Sequence, residues 1–236
     1  MSSLVLNTSL FARALRQVLP AVAADRQRLS LTGVFIETNG DGLRLAASDA
    51  YRLAVSELPA ISLPTAPFSV VVATDGLLEM LDHLDRAEAV TLEVVDGGLV
   101  AWLGERRHAL VTVAGEFPQF DRYLAAGGGA RATVQRQGLR DALERLPETP
   151  SAVVRGVASG LEIIAGDVTV TVEAARDGDG SEVVLNPEFL YDAAMAFSEP
   201  EIVVEVTAPD APVVVTSTSN ESGLTLTYVI MPIRTP

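Results

Sequence analysis

The sequence contains no cysteine. That excludes a disulfide, a thiolate metal site and redox chemistry at sulfur. Lysine is absent too, since all 17 basic residues are arginine. This fits a GC-rich coding bias, and it rules out a Gly-x-x-x-x-Gly-Lys-(Ser/Thr) phosphate loop. Histidine occurs twice, at His83 and His108, without His-x-x-x-His spacing, so no metal site is expected. There is no Gly-x-Ser-x-Gly elbow to present a nucleophilic serine. The carboxylates are many but fall on helix faces that read as solvated. Neither catalysis nor a cofactor is expected. No apolar run approaches the ~20 residues of a membrane span, and Met1-Ser2-Ser3-Leu4 lacks the basic start of a secretory leader. The expectation is a soluble, cytoplasmic protein with no membrane partner.

What is present is a chain of 236 residues, 48% of them hydrophobic. That suits one large or two mid-sized domains with real cores and argues against disorder. The formal charge of −14 opposes non-specific binding to nucleic acid through the overall field. Screening beyond roughly 8 Å at physiological salt leaves room for a locally basic surface.

Hydrophobic periodicity then divides the chain. A strand at Leu4–Leu6 precedes a helix from about Ser9 to Ala23. Phe11, Leu15, Val18, Leu19 and Val22 form its apolar stripe, Arg13, Arg16 and Gln17 lie on another face, and Pro20 weakens its end. Strands follow at 31–38 and 43–47, joined by the turn Asn39–Gly42, then at 52–58 and 68–73. Thr74 caps a second helix, 75–85, with Leu77, Leu78, Leu81 and Leu84 inward and an acidic outer side. Strands at 90–95, 99–103 and 108–113 complete this half, with a Gly97-Gly98 turn between the first two. The small-residue stretch 125–131 reads as a linker. The second half repeats the plan: a strand at 132–134, a helix over 136–146, strands at 153–157, 161–165, 169–174 and 182–185. A helix then starts at Asn186 and Pro187 and runs to Phe197, and strands follow at 202–206, 213–216 and 224–231. The domains are therefore placed at 1–124 and 132–236. Asp177-Gly178-Asp179-Gly180 reads as a loop, because no glutamate follows at calcium-loop spacing.

One stretch is more specific. Leu43/Leu45 and Leu53/Val55 alternate on either side of a polar corner, Ser48-Asp49-Ala50-Tyr51-Arg52, so that a hairpin turns there. On these residues alone, a plain surface turn and a binding site stand about level. The stretch resembles the (Ser/Thr)-Asp-(Gly/Ala)-(His/Tyr)-Arg-Leu-Ala signature of the bacterial DNA polymerase III β subunit family, the sliding clamps. Gly115–Arg122 resembles the segment leaving the family's middle domain, and Tyr228–Arg234 its last strand and tail.

The resemblance implies an α+β fold of two tandem clamp domains, each with two helices packed on antiparallel sheets. It implies a non-catalytic processivity factor that encircles duplex DNA and tethers a polymerase, clamp loader or repair protein through short peptides. The peptide groove carried over comprises Leu31, Ser48, Ala50, Tyr51, Arg52, Leu53, Pro118, Arg122 and Tyr123, with Pro212, Val229, Ile230, Met231, Pro232, Ile233 and Arg234. Without the resemblance, residues 229–231 read as an ordinary last strand. DNA-facing positions implied are Arg13, Arg16, Arg26, Arg28, Arg136 and Arg140. Family clamps close six domains from three per chain. Here only the middle and last domains are matched, so a head-to-tail homotrimer is expected. Asp75, Glu79 and Asp82 on one helix, and Glu188 and Asp192 on another, oppose DNA. They support an alternative: a clamp paralogue that does not encircle DNA and acts as a peptide-binding adaptor.

Overall fold

Asn7 starts the first helix by accepting the Leu10 amide on its side chain at 3.1 Å, a cap that satisfies one of the four orphan donors at a helix start. The computed structural model in which this is seen describes residues 3–25, 27–84, 87–95, 98–125, 128–178, 182–219 and 222–234. The chain forms two units, one of residues 1–118 with 220–226, the other of residues 119–219 with 227–236.

In the first unit, β1 (Ser3–Asn7) leads into α1 (Thr8–Val18). The helix loosens into a 3-10 turn at Leu19–Ala21, where Pro20 sits. β2 (Gly33–Asn39), β3 (Gly42–Ser48), β4 (Arg52–Pro59) and β5 (Ser69–Ala73) precede α2 (Thr74–Leu84), and β6 (Ala89–Val95), β7 (Gly98–Leu103) and β8 (Arg106–Val111) follow it. Two antiparallel sheets result, in the orders β4-β3-β2-β5 and β1-β6-β7-β8. Gly33 permits close pairing of β2 with β5, because a Cβ there would lie 2.4 Å from the Val72 carbonyl oxygen. α1 packs on β3, β4 and α2, burying Phe11, Leu15 and Val18 completely. Each such side chain contributes about 1.5–3 kcal/mol.

Two expectations fail here. Gln17 is buried, its amide oxygen accepting the Ser56 hydroxyl at 2.9 Å. α2 buries Leu77, Met80, Leu81 and Leu84, while Leu78 is 50% exposed. The spacing 77, 80/81, 84 is the tighter fit to 3.6 residues per turn, and Met80 takes the place assigned to Leu78.

The second unit opens with a short helix that periodicity did not reveal, α3 (Asp121–Leu124), and then repeats the order of the first. β9 (Ala130–Gln135), α4 (Arg136–Leu143), β10 (Ala152–Val157), β11 (Gly160–Ala165), β12 (Val168–Asp177), β13 (Glu182–Leu185), α5 (Pro187–Ala196), β14 (Glu201–Val206), β15 (Val213–Ser217) and β16 (Thr225–Ile230) follow in turn. Strand neighbours run β13-β10-β11-β12-β9-β14-β15-β16. β12 serves twice: Val168–Glu173 pair with β11, and Ala174–Asp177 pair with β9. α4 stops at Leu143 rather than Leu146. The Arg145 and Leu146 amides bond three residues back, and Pro147 pushes the residue before it out of helical conformation. Asn186 caps α5 by accepting the Glu188 amide at 3.0 Å, with Pro187 at the first position. The expected turn at Gly97, the helix end at Asp85, Ala126-Gly127 of the linker and the loop at Asp179-Gly180 lie outside the described residues. No described helix is long and apolar enough to cross a membrane.

Candidate functional site

The corner between β3 and β4 is fixed by its own polar groups. Ser48 Oγ donates to the Arg52 carbonyl at 2.7 Å and accepts the Ala50 amide at 3.1 Å. Asp49 Oδ1 accepts the Tyr51 and Arg52 amides, each at 2.9 Å, an Asx-type turn. Ala50 is forced to φ 77°, alone among the described non-glycine residues. That left-handed conformation costs about 1–2 kcal/mol for a residue with a Cβ. Tyr51, the next residue, stands outward, 66% exposed.

Arg52 does not reach for a ligand. Its Nε donates to Asp49 Oδ2 at 3.0 Å and its Nη2 to the Pro20 carbonyl at 2.7 Å. The Pro20 carbonyl sits at the loosened end of α1, where helix carbonyls lack partners and cations are favoured. Arg52 is therefore a brace that ties the corner to α1. Leu53, opposite Ser48 in the ladder, is buried, and Pro118 is exposed.

A cavity of about 490 Å³ opens beside this corner, lined by Ala23, Asp25, Gln27, Arg28, Leu31, Asp49, Ala50 and Tyr51. Leu31, 3% exposed, supplies an apolar floor. Tyr51 stands at the rim. Arg28 is exposed, and its guanidinium has no hydrogen bond or ion pair among the described residues. Arg28, which the resemblance assigns to the DNA-facing set, lines the cavity with Leu31 and Tyr51. The 3-10 turn Leu29–Leu31, closed by the Leu31 amide on the Arg28 carbonyl, brings it there. Ala23, Asp25 and Gln27 went unassigned, being loop residues without periodicity. Arg26 lies outside the described residues.

The second unit carries the other carried-over positions. Val229 and Ile230 are buried in β16, opposite Val214 and Val213 of β15. Met231 and Pro232 are half-buried like Pro212, while Ile233 and Arg234 are exposed. The Ile233 amide donates to the Val184 carbonyl at 2.7 Å, which holds the tail along β13. On α3, Arg122 lies over the Tyr123 ring at 4.6 Å and donates to its hydroxyl at 2.6 Å. This cation–π pair presents one flat, charged surface.

Among the arginines assigned to DNA, Arg136 and Arg140 are held by groups of their own unit. Arg136 Nε donates to the Glu199 carbonyl at 3.1 Å. Arg140 pairs with Asp141 at 3.2 Å and Glu144 at 3.5 Å. Glu144 in turn accepts the Tyr191 hydroxyl at 3.0 Å, and that bond raises the phenol above its ordinary value. Arg13 is half-buried, whereas Arg16 is exposed. Asp75, Glu79 and Asp82 line the outer side of α2, all exposed. Among the described residues no group of three His, Asp or Glu is placed to hold a metal.

Comparison with known proteins gives the setting. Residues 5–119 match the family model described as DNA polymerase III beta subunit, central domain. The chain is 27% identical to the beta sliding clamp of Synechocystis sp. over 98% of its own length and 65% of that protein's. It is 26% identical to the beta sliding clamp homolog GriR of Streptomyces muensis, over 95% of this chain and 64% of that one. The crystal structure of the DNA polymerase III subunit beta from Pseudomonas aeruginosa superposes with a TM-score of 0.89 at 24% identity, covering 100% of this chain and 67% of that one. The chain thus spans about two thirds of the length of the curated relatives it matches.

Proposed function

We propose that this chain is a member of the bacterial DNA polymerase III β subunit family, whose central-domain model matches residues 5–119, and that it is a sliding clamp. It acts as a non-catalytic processivity factor in the cytoplasm. It encircles duplex DNA as a ring and tethers polymerase, loader or repair clients by short peptides. The observation that carries this reading is the doubled order of strand, helix, four strands, helix, three strands, matched to clamps along 98% of the chain. Two units per chain make three copies the ring of six, joined head to tail.

Client peptides bind through two sets of residues. The first unit offers Leu31, Ser48, Ala50, Tyr51, Leu53 and Pro118, with Arg28 added and Arg52 as the brace. The second unit offers Arg122, Tyr123, Pro212 and the 229–234 tail. The floor and rim at Leu31 and Tyr51 suit an apolar anchor, and Arg28 suits a carboxylate or backbone carbonyl beside it. Fluorescence anisotropy with a peptide bearing apolar anchors, taken from a polymerase of the same cell, tests this. Tyr51→Ala and Arg28→Ala should each weaken binding about tenfold. Unchanged affinity in both would place the client elsewhere.

A second reading has its own support. Arg136 and Arg140 are committed within their own unit, and α2 shows three exposed carboxylates. Such helices favour a peptide-binding adaptor that does not encircle DNA. A peptide-binding chain that stays monomeric and is not retained on circular DNA would decide for the adaptor.

A further inference from the structure

The chain's two histidines, far apart in sequence, meet in the first unit. His83 lies in the last turn of α2 and His108 on β8, both half-buried. Their ring centres are 5.5 Å apart and their planes tilt by 49°. The close seat of the helix on the strand brings them together. A Cβ on Gly76 would come 3.3 Å from Leu110 Cδ2 and 3.8 Å from the Ala109 carbonyl oxygen, so glycine there lets α2 approach β8. About two turns further along the helix, and a short step back along the strand, His83 meets His108.

The two rings are prepared differently. His83 Nδ1 lies 2.9 Å from the Glu79 carbonyl oxygen. A carbonyl only accepts, so Nδ1 carries the proton and Nε2 keeps its lone pair. His108 Nε2 is shut off from solvent and has no hydrogen-bond partner among the described residues. The neighbouring imidazole supplies none. A buried polar atom left without a partner costs about 1–3 kcal/mol, and in a native structure it calls for an explanation.

A metal ion supplies one. Imidazole nitrogen binds zinc at about 2.0–2.1 Å, so two rings on one tetrahedral ion have centres roughly 5–5.5 Å apart. The observed separation falls in that range. A ligating histidine commonly donates its other ring N–H to a backbone carbonyl, as His83 does to Glu79. Of the charged neighbours of His108, Glu79 attracts a cation and Arg106 repels one.

We infer that His83 and His108 form a binding site for one divalent transition-metal ion, of the zinc, nickel and copper class that imidazole suits. Among the described residues no third His, Asp or Glu joins them, so water completes the coordination. The site is weaker than a closed four-ligand structural site, and it pins the end of α2 to β8. Magnesium and calcium, which take oxygen ligands, are excluded. Spacing along the sequence could not reveal the site, because its ligands come from two elements that meet only in the fold. It lies within the first unit and is the same whether or not the chain encircles DNA.

The sequence holds no third histidine and no cysteine, which makes the test clean. Calorimetric titration of the untagged full chain with zinc chloride should show one ion per chain, and magnesium chloride should show none. His83→Gln and His108→Gln should each weaken zinc binding at least about tenfold. Zinc should raise the melting temperature of the wild type but of neither variant, and metal-free melting curves show that the variants fold. Copper on the wild type, which needs no variant, should give the electron-resonance splitting of two nitrogens. Zinc affinity unchanged in both variants, lost in only one, or absent from the wild type at millimolar zinc overturns the site, as does a single-nitrogen copper signal.

Discussion

Ala50 shows how one residue carries cost and purpose together. Its positive φ is imposed by Ser48 and Asp49, which close the corner around it. Glycine adopts that conformation freely. Ala50→Gly should therefore raise stability by about 0.5–1 kcal/mol, seen as a melting temperature higher by roughly 2–3 °C. A lower melting temperature would mean that the corner is not strained. The corner itself was legible in the sequence because its chemistry is local: Ser, Asp and Arg within five residues build the turn. The duties within it were not. Arg52 reads as a rim residue until the Pro20 carbonyl, 32 positions away, is seen to take its guanidinium. Arg28 shows no periodicity that would place it beside Tyr51, and the 3-10 turn at Leu29–Leu31 brings it to that cavity.

At the scale of elements, ends were easier to read than faces. The Asn186-Pro187 start of α5 and the loosening of α1 at Pro20 follow from local backbone chemistry. Which of two neighbouring leucines on α2 faces inward depends on the sheet beneath, and Met80 displaced Leu78. The same packing puts a charge question between α2 and β8. The His108 imidazole, 5.5 Å from His83 between ring centres, is held below its ordinary 6.5. Burial is the main cause, with His83 and Arg106 adding repulsion and Glu79 opposing them. The unfolded chain thus binds this proton more readily, so stability is full above about pH 6.5 and falls as pH drops below it. Urea midpoints measured across that range should decline toward acid. In His108→Gln the decline should be shallower, and an unchanged slope would assign it to other groups.

For the whole molecule, the repeated order of elements was visible in periodicity, because each half alternates apolar and polar residues at the spacing its strands and helices require. The distribution of charge was not, since ion pairing within α4 removes a cation that the sequence presents as available. The net charge of −14 and the engagement of Arg136 and Arg140 by their own unit imply that any hold on DNA is topological rather than adhesive. Retention should then depend weakly on salt, unlike binding by phosphate contacts, whose affinity falls steeply as salt rises. The most direct measurement loads the protein onto nicked circular DNA by dilution and reconcentration, then linearises the DNA with a single-cut nuclease. An encircling ring co-elutes with the circle at high salt and is lost on cutting. Equal retention before and after cutting, or none on the circle at any salt, would contradict it.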